Sequence, residues 1–218
     1  MKATIVIPTI NEEACIGVVL DKIPKDENYE VLIIDSDSTD KTVEIAESRG
    51  ARVINEKRRG YGRAYKTGFE NAQGDIIVTL DADDTYPAER IHEFVAILEK
   101  QNLDFISCDR ISTLEKGVMS RTHILGNKIL TLASRVLFGA KIKDSQTGMW
   151  IFKKVILNTL DLTSDGMGFS EEIKIEAIKK GFKFKEMPIK YRRRLGEVKL
   201  NTWRDGWLNL KFLFKKRF

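Results

Sequence analysis

Cysteine is nearly absent: Cys15 and Cys108 are the only two in 218 residues, in apolar-periodic surroundings and in no Cys-x-x-Cys or Cys/His array. That excludes a thiolate metal cluster or a disulfide scaffold, and the pair reads as buried free thiols of a cytosolic protein. Histidine is equally scarce, with His92 and His123 alone, which argues against an imidazole-rich zinc or iron centre. No apolar run approaches the roughly 18 residues a membrane-spanning helix needs. The opening "MKATIVIPTINEE" passes from a short apolar stretch straight into acids, which is not the pattern of a secretory signal. The expectation is a soluble or peripheral protein. There is no internal repeat, low-complexity segment or linker. The dinucleotide pattern Gly-x-Gly-x-x-Gly is also missing, because Tyr65 stands where its third glycine would be. No nucleoside-triphosphatase loop occurs either.

What is present is charge and a repeating rhythm. The net charge of +5 gathers in "EKRRGYGR", "KYRRRLGEVK" and "KFLFKKRF". Such clusters suit anionic partners or a solvated basic face. Short apolar runs at 3–7, 30–35, 51–55, 75–80 and 103–109 alternate with helical patterns at 13–22, 40–49, 64–73 and 87–101. Strands alternating with helices of this length imply a mostly parallel sheet in an α/β fold. Ser38, Thr39 or Asp40 can cap the second helix and Gly50 ends it, while Pro87 suits the first turn of the fourth. Further on, helices are expected at 120–138 and 169–180, and strands at "TGMWIFKK" and "FKFKEMPIKYRR". The hydrophobic share of 42% suffices for one domain over residues 1–218.

In such sheets ligands sit beyond the carboxyl ends of the strands. Three strand ends are rich in polar groups: "PTINEE" (Pro8 to Glu13), "DSDSTD" (Asp35 to Asp40) and "DADD" (Asp81 to Asp84). Asp81 and Asp83 can supply part of the oxygen shell of Mg²⁺, with ligand phosphates filling the rest. The other reading is that Asp83, Asp84 or Thr85 caps the helix that follows. Gly60 and Gly62, before a helical stretch with arginines nearby, form either a phosphate-approaching turn or a plain glycine-rich one. The arginines Arg192, Arg193 and Arg194, with Lys199, either grip phosphates or solubilise the surface.

Six segments, "IVIPTINEE", "IIDSDSTDKT", "RRGYGRAYKTGF", "GDIIVTLDADDTYP", "DSQTGMWIFKK" and "RRRLGEVKL", occur in the order found in family 2 glycosyltransferases. Within that family the chain resembles the dolichol-phosphate mannose synthase and polyprenyl-phosphate glycosyltransferase branch. The resemblance covers essentially the whole chain. It implies the GT-A nucleotide-sugar transferase fold, a GDP- or UDP-linked sugar donor and Mg²⁺ or Mn²⁺. It implies that Pro8, Ile10, Glu12, Ile34 and Asp35 border the nucleoside, and that Asp81, Ala82 and Asp83 lie along the diphosphate, with the metal on Asp83 and its partner Asp81. Arg193 and Lys199 would meet the donor phosphates, and Arg110 and Arg121 the acceptor phosphate. Residues 1–110 would form the donor half, 111–202 the acceptor half, and 203–218 an amphipathic C-terminal helix. Three departures stand out: Asp35-Ser36 replaces the usual Asp-Asp, Thr85 a glutamine, and Val198 the serine of Gly-x-Ser-Lys.

The implied reaction moves a sugar, mannose or glucose, to a polyprenyl phosphate with inversion at the anomeric carbon. A phosphate acceptor is already anionic and needs no strong base. A hydroxyl acceptor, the alternative, would need one, and Asp144, Glu171 and Glu172 are the candidates, Glu172 foremost. In the tail, Trp203, Trp207, Leu210 and Phe214 recur at helical spacing beside lysines. That composition suits a helix lying in a membrane interface, or one packed on its own core. A location in the cytoplasm, or on the cytoplasmic face of a membrane, follows. Two competing classes are a nucleic-acid-binding module, opposed by the acidic strand ends and the lack of any helix-turn-helix or RNA-binding signature, and a non-catalytic sugar-nucleotide-binding subunit.

Overall fold

In strand β1 (Ala3–Thr9), Ala3, Ile5 and Ile7 enter one hydrophobic cluster and Val6 another, because successive side chains of a strand alternate faces. Both faces are covered, so the run is almost unbroken in apolar character. The computed structural model describes residues 2–196 and 202–218, with Thr202 and Trp203 described by backbone only. β2 (Tyr29–Asp35), β3 (Arg52–Asn55), β4 (Ile76–Thr79), β5 (Phe105–Asp109), β6 (Trp150–Lys153) and β7 (Phe184–Pro188) join β1 in one sheet of order β3-β2-β1-β4-β6-β5-β7. The pairs β1/β2, β1/β4, β2/β3 and β5/β7 are parallel, and only β6 runs antiparallel, between β4 and β5. The sheet is thus mostly parallel, as the rhythm of the sequence implies.

Helices α1 (Ile16–Lys22), α2 (Thr42–Ser48) and α4 (Ile91–Lys100) cover one face through Ile16, Ala46 and Phe94 among others. α3 (Tyr61–Asn71) and α6 (Phe169–Lys179) cover the other with Tyr65, Phe69, Phe169 and Ile173. α5 (Arg121–Phe138) and α7 (Thr202–Arg217) pack together outside α6, closing a third cluster around Leu130, Ile142, Ile175 and Leu213. Every residue from Phe169 to Ala177 is therefore buried, including Glu171, Glu172, Lys174 and Glu176. Buried charges persist only when partnered, and Lys216 of α7 reaches both Glu172 and Glu176.

Boundaries differ from the sequence pattern where turns intervene. The fourth helix begins at Ile91, after a 3-10 turn over Ala88–Arg90. The last strand stops at Pro188, which lacks the N–H that a continuing ladder needs. A 3-10 helix over Lys154–Thr159 had no sequence signal. α2 has no side-chain cap, and Asp40 instead accepts from the Thr42 amide and hydroxyl. Gly50 follows that helix at φ +79, the left-handed conformation glycine adopts freely. Neither cysteine is in a disulfide, and both are buried.

Candidate active site

Strand order reverses between β1 and β4, the point at which open α/β sheets place their ligands, in the loops leaving those two strands. Since β6 runs against its neighbours, its start lies at the same rim: Trp150 N donates to Thr79 Oγ1 at the end of β4, and that hydroxyl donates to Gly148 O. Asn11, Asp37 and Asp84, in the loops after β1, β2 and β4, all adopt positive φ. This conformation is unusual for residues other than glycine and concentrates at functional loops.

At this rim, Pro8 pairs with Ile34 and Thr9 with Asp35 across β1 and β2. The Asp35 carboxylate is buried; it accepts from Thr9 Oγ1 at 2.8 Å, Ser38 Oγ at 2.5 Å and Ser38 N at 2.8 Å. It ties the two loops together. Glu12 begins the turn into α1, its amide bonded to Thr42 Oγ1, and Ile10 lies half-buried beside it.

Past β4, Asp81 is half-buried and Ala82 and Asp83 are buried. Tyr61 Oη lies 3.4 Å from Asp81 Oδ1. Gly148 faces the same carboxylate: a Cβ there would stand 3.2 and 3.3 Å from its two oxygens and 2.4 Å from Tyr61 Oη. Burial, and then the Asp83 carboxylate, push Asp81 up to about 7. Asp83 Oδ1 accepts from the amide and hydroxyl of Thr85 at 3.0 and 2.6 Å, a turn within its own loop; neither the 3-10 turn nor α4 that follows has a side-chain cap, so the capping reading does not hold. Its Oδ2 makes no hydrogen bond of good geometry, yet lies 2.6 Å from Arg194 Nη2 as an ion pair. The backbone of 192–195 is laced to the same loop, Arg192 N donating to Thr85 O and Leu195 N to Asp83 O. Among the described residues no group of three or more His, Cys, Asp or Glu could enclose a metal. The donor set nevertheless fits a hard cation that keeps phosphate ligands: two carboxylates, one with an oxygen answered only by a cationic side chain, the other facing a glycine.

Beside this loop lies a cavity of about 370 Å³, its lining including Arg110, His123, Asn127, Tyr191, Arg192 and Arg194. Arg110 forks onto Asp144 at 2.7 and 2.8 Å, and Asn127 of α5 donates to the same carboxylate at 2.6 Å. Against the effect of burial, Arg110, Lys174 and Asn127 hold Asp144 well below the usual carboxylate range. The Arg110 guanidinium also lies 5.2 Å from the centre of the Tyr191 ring, a cation–π contact. Burial, then Arg110 and Arg194, lower His123, so this wall is electropositive. A larger groove of about 710 Å³, lined by Phe69, Lys153 and Leu157 among others, lies at the other end of β6, away from the carboxylates.

The residues expected from sequence are not all gathered here. Arg121 is exposed in the first turn of α5 and is not among the cavity-lining residues, whereas His123 is. Arg193 is exposed, its guanidinium beside Gly117, and Arg194 is the member of the triplet that meets Asp83. Glu172 accepts from Thr163 N, Thr163 Oγ1, Ser164 N and Lys216 Nζ, which anchors the 163–164 turn and α7 onto α6. Glu171 bonds to Gln146 Nε2 at 2.5 Å, and burial pushes it well above the usual range. Lys199 lies outside the described residues. Gly60 and Gly62 approach backbone, not open space: a Cβ on them would meet Asp165 O at 2.3 Å and Ser164 O at 2.5 Å. Of the two readings of this turn, the plain glycine-rich one fits, because the 164–165 loop occupies the space beside both glycines. In the tail, Leu210 packs against the third cluster while Trp207 and Phe214 are exposed; the Trp203 side chain is outside the described set. Arg194 is named in the sequence only together with its two neighbours, and Tyr61, Gly148 and Tyr191 are not singled out there.

A model of the family "Glycosyl transferase family 2" matches residues 4–161. The dolichyl-phosphate hexose transferase of Haloferax volcanii is 36% identical over 204 residues, 93% of this chain and 88% of that protein. The low-salt glycan biosynthesis hexosyltransferase Agl6 of the same organism is 35% identical over 216 residues, and the chain spans only 52% of its length. Glucosyl-3-phosphoglycerate synthase from Mycobacterium tuberculosis, solved with Mn²⁺, UDP-glucose and phosphoglyceric acid, superposes with a TM-score of 0.81 at 21% identity, over 99% of this chain and 79% of that one. The fold is the GT-A arrangement.

Proposed function

The chain belongs to glycosyl transferase family 2, and from that premise we propose that it transfers a hexose from a nucleoside-diphosphate sugar to the phosphate of a polyprenyl lipid, with a divalent cation and with inversion. The observation that carries this reading is the state of the three candidate bases. Asp144 is locked in an ion pair with Arg110, Glu172 accepts four hydrogen bonds, and Glu171 is buried against Gln146 and driven towards its neutral form. A hydroxyl nucleophile needs a carboxylate free to take its proton; a phosphate does not. The name of the Haloferax dolichyl-phosphate hexose transferase points the same way.

Asp81 and Asp83 would hold Mg²⁺ or Mn²⁺, which when bound stabilises the negative charge developing on the departing nucleotide. Thr85 fixes the Asp83 carboxylate through two hydrogen bonds, and Tyr61 and Gly148 frame that of Asp81. Pro8, Ile10, Glu12, Ile34 and Asp35 form the nucleoside side of the crevice. Arg110, held over the Tyr191 ring and aligned by Asp144, would offer its remaining donors to the acceptor phosphate. Arg194 is paired with Asp83 and, with a metal held by Asp81 and Asp83, would offer its charge to the donor phosphate instead.

The test is chemical. Incubation with UDP- and GDP-linked hexoses, MnCl₂ and a short-chain phosphorylated prenol should yield a butanol-extractable sugar lipid from one donor. Transfer to a hydroxyl acceptor alone, or no product from any donor, would refute the reading.

A further inference from the structure

His123 stands in the first turn of α5, its amide donating to Ser120 Oγ at 3.2 Å. Val118, Met119, Ser120 and His123 all line the cavity that holds Arg110, so the electropositive end of this helix lies at the cavity wall. The guanidiniums there are already matched by carboxylates. Arg110 forks onto Asp144 at 2.7 and 2.8 Å, Arg192 forks onto Glu89, and Arg194 lies 2.6 Å from Asp83. Burial pushes the Tyr191 phenol up, so it stays neutral, and Asp205 of α7 is the one carboxylate among the cavity-lining residues. Imidazole is the side chain of this wall that titrates near neutrality. Burial, then the charges of Arg110 and Arg194, disfavour its proton, and without a ligand it is neutral at pH 7.

Sugar transfer changes the charge at this spot. A phosphomonoester is mostly a dianion at neutral pH. One of its oxygens bonds to the anomeric carbon as the bond from that carbon to the nucleotide oxygen breaks. The lipid phosphate becomes a diester monoanion, and the nucleoside diphosphate departs with the extra negative charge; no proton is consumed. A guanidinium stays charged throughout and cannot mark that change by its own protonation. An imidazole can, because a dianion beside it favours the imidazolium and accepts its N–H more strongly than a monoanion does. Given the lipid-phosphate reading above, on which the assignment rests, we infer that His123 is the specificity-determining residue that separates acceptor from product. It takes a proton from solvent as the monoester dianion binds, and returns it once the diester has formed, which loosens the product. Monoester binding is therefore strengthened where His123 can be protonated, and the preference for monoester over diester fades as pH rises.

The test is calorimetric titration of citronellyl phosphate and of its methyl diester into the full chain at pH 6.5 and 8.5. In wild type the ratio of monoester to diester affinity should be about tenfold larger at the lower pH, the size of one charge-assisted hydrogen bond. In His123→Gln, which cannot take the proton, the ratio should change less than twofold. In His123→Arg, whose charge is fixed, it should stay high at both pH values. The ligand's own ionisation, near pH 6, is common to all three proteins. A wild-type ratio indifferent to pH would overturn the role of His123, and so would a pH dependence that persists in His123→Gln. The wild-type comparison is decisive by itself if a variant fails to fold. Monoester binding with a flat ratio would leave the lipid-phosphate reading standing, whereas failure of both ligands to bind, with no sugar lipid formed, would remove that reading and this assignment together.

Discussion

Arg194 Nη2 stands 2.6 Å from Asp83 Oδ2, on a carboxylate oxygen that no hydrogen bond otherwise satisfies. The chain thus supplies its own cation to the acidic loop. Replacing it should expose the repulsion between Asp81 and Asp83. Because Arg194 is about a quarter exposed, the cost is discounted from a fully buried pair to about 2 kcal/mol. Arg194→Met should melt several degrees below wild type in EDTA, and Mn²⁺ should recover most of that loss. A melting temperature indifferent to Mn²⁺ in the variant would count against a shared cation position.

Gly148 lies where a methyl group would strike Tyr61 Oη at 2.4 Å and press on both Asp81 oxygens. Gly148→Ala should reduce metal-dependent nucleotide affinity about tenfold, equivalent to roughly 1.4 kcal/mol. Tyr61→Phe removes the hydroxyl that collides. The double variant should therefore bind better than Gly148→Ala alone, a coupling that calorimetry can read as a double-mutant cycle.

Arg110 and Asp144 illustrate why one half of a buried pair cannot be removed alone. Asp144→Leu leaves a buried guanidinium with no counter-charge and should cost about 3–5 kcal/mol in urea unfolding. Arg110→Met/Asp144→Leu should recover much of that stability while losing affinity for prenyl phosphate. If the double variant kept full acceptor affinity, Arg110 would not be a phosphate ligand.

Lys174 is fully buried, donating to Thr147 O at 3.1 Å, and burial pushes it down to about 7. Its unfolded value is near 10.4. Between pH 7 and 10 the unfolded chain therefore holds the proton that the folded chain releases, and this lysine's contribution to stability rises with pH. Relative to Lys174→Met, wild type should gain roughly 3 kcal/mol between pH 7 and 9.5. Parallel pH profiles of denaturant midpoints for the two proteins would contradict this.

The strands were readable because both faces of the sheet are covered, which leaves nearly continuous apolar runs ending in polar loops. Asp35, Asp81 and Asp83 stand out for that reason. Other features depend on partners distant in sequence. In "RRR" nothing local distinguishes Arg193 from Arg194; the pairing of Leu195 N with Asp83 O sets which guanidinium turns inward. Glu172 follows Glu171 in a helix start that reads as acceptor-side, yet α7 covers it with Lys216, 44 residues away. α5 carries apolar residues on both sides, and only its contact with α6 and α7 determines that Leu130 is inside and Leu132 outside. Gly60 and Gly62 looked free for a ligand because the 164–165 backbone that fills their space lies about a hundred residues further on.

Calorimetric titration of UDP and GDP into wild type and Asp83→Asn, each in MnCl₂ and in EDTA, tests the central claim most directly. The asparagine keeps an oxygen for the Thr85 bonds but removes the charge. One nucleotide should bind wild type at least tenfold tighter with Mn²⁺ than with EDTA, and Asp83→Asn should show no such difference. A manganese enhancement that survives in Asp83→Asn would contradict the account.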